Sequence, residues 1–251
     1  MTQQAEHVVP GHGGSASIEL TDYWWYRVRS RLLKTILEPY VGTPERVLDV
    51  GSADGPSIGW LTARGLKVAL DIDPRGLEPG TGVCGSAMQL PFADASFDVV
   101  GAFDVVEHCE PESAAVSELA RVLVPGGRLL ISVPAYQWAW TDFDDENGHH
   151  RRYTRARAIA AVEAQGLEVL RASYAFASTF PLFAAERAFR RVRQAVSGDG
   201  RRRPADVVSV PEVSPTLDRV LTWLGGVDER ALRHRDLPFG SSVVIAARKP
   251  R

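Results

Sequence analysis

Five short apolar runs decide which architectures are open to this chain. They are Arg46–Val50, Lys67–Asp71, Thr81–Cys84, Phe97–Ala102 and Arg128–Val133, and helical segments near 56–64 and 112–123 fall between them. In the second segment Val116, Leu119, Ala120 and Leu123 mark one face, and Pro125-Gly126-Gly127 reads as its stop. Strands that alternate with helices imply βαβ units and a parallel sheet.

The pattern changes after Val133. A polar, aromatic loop runs from Pro134 to about Tyr153, followed by a helix near 155–165, a strand near Leu167–Tyr174 and a last strand Ser241–Arg248. Residues 175–240 read as a helical insertion. Leu182, Ala185, Phe189, Val192 and Val196 form one helix face there, and Leu217, Val220, Leu221 and Leu224 another. "SGDGRRRPADVVSVPEVSP" between them reads as a mobile linker. Upstream, residues 17–40 carry helical spacing at Val28, Leu32, Leu33, Ile36 and Leu37, with Pro39 and the 42–44 Gly-Thr-Pro as its end. Residues 1–16 lack periodicity and are expected to be disordered, so the domain is 17–251.

A chain of 251 residues suits one α/β domain with insertions. The net charge of −2 gives no global field for nucleic acid or an anionic membrane. Cys84 and Cys109 form no C-x-x-C pair, which argues against zinc and disulfides and for a reducing compartment. The N-terminus lacks a basic and an apolar region, and no long apolar run exists, so a soluble, cytoplasmic protein is expected.

The stretch "RVLDVGSADG", Arg46 to Gly55, has the strand and turn of a nucleotide loop without its middle glycine. It has neither G-x-G-x-x-G for a pyrophosphate nor Lys-Ser/Thr for a P-loop, and so suits a nucleoside. Asp71 ends the second strand, where a carboxylate can accept both ribose hydroxyls. Asp94, Asp98 and Asp104 read as turn or edge residues.

"LDIDP" (70–74), "GSAMQLPFADASFDVV" (85–100), "FDVVEH" (103–108) and "LARVLVPGGRLLISVPA" (119–135) follow in this order. Together they resemble the class I S-adenosylmethionine-dependent methyltransferases, and "DYWWYRVRSRLL", "GHHRRYTRA" and "LPFGSSVVIAARKP" extend the likeness to a bacterial small-molecule subgroup. The resemblance implies a Rossmann-like, doubly wound seven-stranded sheet with its last strand antiparallel, with S-adenosylmethionine bound and S-adenosylhomocysteine released. It implies that Gly51 and Gly55 shape the loop under the methionine part, and that Asp49 orients that loop or meets the amino group. Asp71 would bind the ribose, Ile72 would lie against the adenine, Ser86 and Ala87 at the adenine edge, and Phe103 near the methionine portion. Ala53 stands where a glycine is usual, and Ser86 where an Asp often receives the adenine amino group.

Methyl transfer needs alignment and, for a hydroxyl acceptor, a base. The loop "YQWAWTDFDDENGHHRRYT" (136–154) offers His149 and His150 as bases, with His108 a third candidate. Tyr136, Arg152 and Tyr153 are expected against the acceptor, since an Arg can hold a carboxylate or phosphate. Equally, the basic run could pair with the acidic run and simply pin the loop. Gly148 falls one place late for a calcium loop and the acids are not placed as in catechol methyltransferases, so no metal is expected. Trp24, Trp25 and Tyr26 cannot all face one core from a helix, so at least one should be exposed or cover something else; residues 17–40 are read as a helical lid over cofactor and acceptor, with packing against the sheet edge as the alternative.

The expected reaction is O-methylation of a hydroxyl or carboxylate on a sugar or secondary metabolite. Nitrogen as acceptor is an alternative. So is a lipid-linked acceptor, if the face with Arg187, Arg190 and Arg191 rests on an anionic membrane. An N-P-P-Y signature is absent, and with the near-neutral charge this makes DNA and RNA poor candidates as acceptors, so no nucleic-acid partner is expected. A rival of another class is a non-catalytic cofactor-binding protein that acts through a partner. The oligomeric state is left open.

Overall fold

The computed structural model describes residues 22–52, 59–74, 77, 82–197 and 213–251. Ala53, Gly55, the first sixteen residues and most of the linker before α6 lie outside these. Seven strands form one sheet: β1 (Arg46–Val50), β2 (Leu66–Asp71), β3 (Gly82–Cys84), β4 (Phe97–Phe103), β5 (Leu123–Pro134), β6 (Glu168–Ala175) and β7 (Ser242–Arg248). Their order is β3-β2-β1-β4-β5-β7-β6. The first five run parallel, and β7 runs antiparallel to both β5 and β6. This is the class I methyltransferase topology expected from the sequence. Central strands read as continuous apolar runs because both faces are covered; Val47, Leu48, Val100, Leu129 and Leu130 are wholly buried.

The helices are α1 (Trp24–Val41), α2 (Glu112–Val122), α3 (Asp142–Glu146), α4 (Arg155–Glu163), α5 (Phe180–Ser197) and α6 (Pro215–Leu232). In α1 the expected stripe of Val28, Leu32, Leu33, Ile36 and Leu37 is the buried one. Pro39 does not end this helix but lies inside it, and Gly42, at φ +67°, closes it. One proline in the last turn removes one i→i−4 bond, whereas a left-handed glycine turns the chain away.

The described part of the helix expected at 56–64 is turn and coil over 59–64. The Arg64, Gly65 and Leu66 N–H groups bond instead to the Pro44 and Glu45 carbonyls, which fixes the entry to β2. The Pro125-Gly126-Gly127 stretch lies within β5, which begins at Leu123, rather than ending α2, which stops at Val122. Lys249 closes that end: its Nζ donates to the Ala120 and Leu123 carbonyls, each at 2.8 Å.

Helix α6 buries Leu221, Gly225, Asp228 and Leu232. Gly225 lies so close to α1 that a Cβ would meet Val28 Cγ1 at 2.4 Å. Arg27 of α1 also reaches Asp218 of α6 at 2.7 Å. Helix α5 departs from its expected reading. Its stripe faces solvent, with Leu182 55%, Phe189 67% and Val192 65% exposed, while Arg187 is buried beneath. Among the described residues no helix is long and apolar enough to cross a membrane.

Candidate active site

The carboxyl ends of β1 to β4 gather most of the residues assigned above to the cofactor. Gly51, just past β1, holds φ +72° and donates its N–H to the Leu70 carbonyl at 2.8 Å. A Cβ there would lie 2.3 Å from Val105 Cγ2, so only glycine fits. Asp49 is buried in β1, with Lys67 Nζ 3.8 Å from its carboxylate. At the end of β2, buried Asp71 accepts the Asp73 N–H at 2.9 Å, which fixes the carboxylate at the strand tip. Ile72 beside it is 37% exposed, an apolar surface open at the ledge. Beyond β3, Ser86 Oγ accepts the Met88 N–H at 3.2 Å, and Ala87 packs against the core. Phe103 ends β4, buried, with the Trp60 ring 6.4 Å away.

Asp104, which follows Phe103, is more than the turn residue its sequence position suggested. It adopts φ +58°, and its carboxylate accepts Arg29 Nε at 2.9 Å and Ser132 Oγ at 3.1 Å. Arg29 is itself buried, so α1 is tied across the end of β4. Trp25 is held between the Arg29 guanidinium, 5.3 Å from its ring, and Phe176, stacked at 5.8 Å. Tyr26 meets Trp25 edge-on at 5.1 Å, and Trp24 packs against the core. All three aromatics are half-buried: none is fully exposed, and each keeps part of its surface open.

The loop after β5 is organised around Asp144, a residue that sequence reading left inside an acidic run. Its carboxylate has no solvent exposure and accepts Arg152 Nε at 2.7 Å, His149 Nδ1 at 2.9 Å and the Thr141 N–H at 2.9 Å. The Arg187 guanidinium lies 3.5 Å away and also donates to Thr141 Oγ1. Burial alone would raise the Asp144 pKa, but the His149 hydrogen bond and the Arg152 charge outweigh it and hold it near 2. Burial, with Arg152 nearby, lowers Arg187 to about 10, still charged at neutral pH. The pairing of basic with acidic run is thus present, through one aspartate. Arg152 is buried and also donates to the Ala135 carbonyl at 3.2 Å. Tyr153 is buried with its hydroxyl 2.5 Å from Glu112. Tyr136 stacks on Tyr174 at 5.3 Å, and burial raises its pKa to about 12.

Because Asp144 is ionised, it can only accept, so His149 carries its proton on Nδ1 and leaves Nε2 basic. The His149 ring meets His108 edge-on at 4.7 Å. His108 keeps part of its surface open to solvent, while crowding by protein and the neighbouring His149 hold its pKa below the ordinary range. The His108 ring is therefore neutral at neutral pH. His150 is exposed, and its backbone N–H bonds to the Glu107 carbonyl at 2.9 Å. Glu107, overlooked in the sequence, is fully buried; burial and the Asp104 charge raise its carboxyl pKa well above the usual range.

Residues 48–131 match a family model described as a methyltransferase domain. Over 94 residues the chain is 43% identical to the malonyl-(acyl-carrier protein) O-methyltransferase of Herminiimonas arsenicoxydans, spanning 34% of this chain and 36% of that protein. Over 101 residues it is 40% identical to the demethylmenaquinone methyltransferase of Mycobacterium sp. (strain KMS), spanning 36% of this chain and 42% of that protein. The chain therefore spans less than half the length of either. Among solved structures, the N-methyltransferase NodS of Bradyrhizobium japonicum, in complex with S-adenosylhomocysteine, superposes with a TM-score of 0.51 at 14% identity. That likeness covers 93% of this chain and 91% of the other, and at that identity it speaks to fold alone. Strand order, the glycine at position 51, the acid at the tip of β2 and the matched domain converge: residues 48–131 carry a methyltransferase domain, and the sheet around it has the fold of the class I S-adenosylmethionine-dependent methyltransferases.

Proposed function

We propose that this chain transfers a methyl group from S-adenosylmethionine to an oxygen of a small molecule, a hydroxyl or carboxylate of a sugar or secondary metabolite. The Asp144–His149 pair at 2.9 Å is the observation that carries oxygen as the acceptor. The relative named as a malonyl-(acyl-carrier protein) O-methyltransferase points the same way.

The strand ends fit the cofactor. Only a glycine can occupy position 51, so backbone rather than a side chain would underlie the ligand. Gly51 and Gly55 would shape the loop beneath the methionine part and Asp49 would orient it. Asp71 would take the ribose hydroxyls, Ile72 would cover the adenine, Ser86 and Ala87 would edge it, and Phe103 would border the methionine portion. Once bound, the cofactor supplies a methyl carbon activated by a sulfonium. The strand-end residues would hold that carbon in line with an acceptor oxygen, which would displace the neutral thioether. For a hydroxyl acceptor, His149 Nε2 takes the proton, and Asp144 stabilises the imidazolium that results. For a carboxylate acceptor no base is needed, and the loop serves only to align.

Tyr136 and the aromatic ridge Trp24, Trp25 and Tyr26 are the acceptor's walls in this reading, with α1 as lid and the 175–240 helices as roof of one 17–251 domain. Arg152 and Tyr153, committed to Asp144 and Glu112, act by holding the loop rather than by touching the acceptor. A second reading, a lipid-linked acceptor, is favoured by the solvent-facing stripe of α5.

The test is calorimetric binding of S-adenosylhomocysteine to the full chain and to Asp71→Ala. Loss of a charged hydrogen-bonding partner should weaken binding roughly 10- to 100-fold. Well-folded wild type that binds neither this ligand nor S-adenosylmethionine would overturn the reading in favour of a non-catalytic role.

A further inference from the structure

Glu107 and His108 stand in a 3-10 turn over Val106–His108, just past β4, and His149 arrives from the loop after α3. Neither Glu107 carboxylate oxygen has a hydrogen-bond partner, although the residue has no solvent exposure. Buried carboxylates are ordinarily hydrogen-bonded, paired or bound to a metal, so this one calls for a partner. One donor atom from each of Glu107, His108 and His149 lies within 4.8 Å of the others.

Both imidazoles already spend one nitrogen on a fixed acceptor. His149 Nδ1 bonds Asp144 Oδ1 at 2.9 Å, and His108 donates a ring N–H to the Gly148 carbonyl. Each ring is thus held by one nitrogen against an outer acceptor that fixes its orientation. Metal-binding histidines are held in this way, by a carboxylate or a backbone carbonyl on the far nitrogen.

We propose that Glu107, His108 and His149 form a binding site for a divalent transition metal of the zinc class. Two imidazole nitrogens and one carboxylate oxygen suit zinc, cobalt or iron better than calcium or magnesium, which prefer oxygen throughout. Three protein ligands leave a fourth position for water or for an acceptor oxygen, and exposed His108 keeps the site in reach of solvent. The site does not rest on the oxygen-methylation reading. With a metal bound, His149 would serve as a ligand rather than as the base, and the metal would supply Lewis-acid chemistry toward an acceptor oxygen. The sequence led to the expectation of no metal at all; this proposal departs from it, because the fold groups residues that are far apart in the chain.

The metal-stripped full chain is titrated with zinc chloride by calorimetry and with cobalt chloride by visible absorption. Near-stoichiometric binding is expected, with a cobalt spectrum of the intense four-coordinate kind. Glu107→Gln and His108→Ala should each abolish it, and Asp144→Asn should weaken it roughly 10- to 100-fold through the outer shell. No stoichiometric binding to wild type, or binding unchanged in Glu107→Gln and His108→Ala, overturns the site. If those variants fail to fold, the wild-type cobalt spectrum decides, since a weak six-coordinate spectrum or none also overturns it. S-adenosylhomocysteine binding, measured on the same metal-free protein, separates failure of this site from failure of the methyltransferase reading.

Discussion

Gly51 and Val105 show how one side chain can be forbidden by both conformation and space. At φ +72°, with Val105 Cγ2 2.3 Å from where a Cβ would sit, Gly51→Ala meets both penalties. It should destabilise the protein by roughly 1–3 kcal/mol in urea unfolding. Adding Val105→Ala should recover the steric part while about 1 kcal/mol, the left-handed backbone penalty, remains. A single mutant as stable as wild type would mean that the loop after β1 is not held as described. At this scale the sequence was legible where spacing fixes a position, as for Gly51 in the turn after β1 and Asp71 at the end of β2. It was not legible for Asp104, Glu107 and Asp144. Their roles come from a positive φ, from complete burial and from partners brought in by other segments, none of which leaves a mark in a run of acids.

Helix α1 was readable because its stripe of Val28, Leu32, Leu33, Ile36 and Leu37 repeats with the helical period and is the side that packs. Its partner was not readable. Gly225 sits inside α6, where glycine costs about 1 kcal/mol of helix propensity relative to alanine, because its missing side chain lets α1 approach. Gly225→Ala would place a Cβ 2.4 Å from Val28 Cγ1. The clash should outweigh the gain in propensity, for a net loss of roughly 1–2 kcal/mol. In the Val28→Ala background the same change should become neutral or stabilising, a sign reversal read from a double-mutant cycle. Purely additive effects would show that the two helices do not meet there. Helix α5 carries the opposite lesson: period identifies a face, but not whether protein or solvent lies against it.

Across the whole molecule, the largest exposed apolar groups include Leu182, Phe189 and Val192 on α5 and Trp223, 63% exposed, on α6. Arg191 and Arg193, both exposed, accompany those on α5. If this face meets lipid, the full chain should co-sediment with vesicles rich in phosphatidylglycerol and not with neutral ones. Phe189→Ser should then reduce binding several-fold, with stability changed by no more than about 0.5 kcal/mol because the ring packs on little. Equal recovery with both vesicle types, or none, would rule out the lipid-linked acceptor and leave the soluble one.

The sequence by itself determined the alternation of strand and helix, the glycine turn after β1, the acid at the tip of β2 and the antiparallel last strand implied by the family likeness. These are local: each depends on residues near one another in the chain, or on an order of segments that can be read along it. The meeting of Glu107 and His108 with His149, the bracing of that histidine by Asp144, and the tie from Arg29 to Asp104 were decided by tertiary structure alone. Segments distant in the chain touch only once β4 and β5 pair and the loops at their ends face one another across the sheet, and side-chain chemistry in sequence order carries no information about that distance.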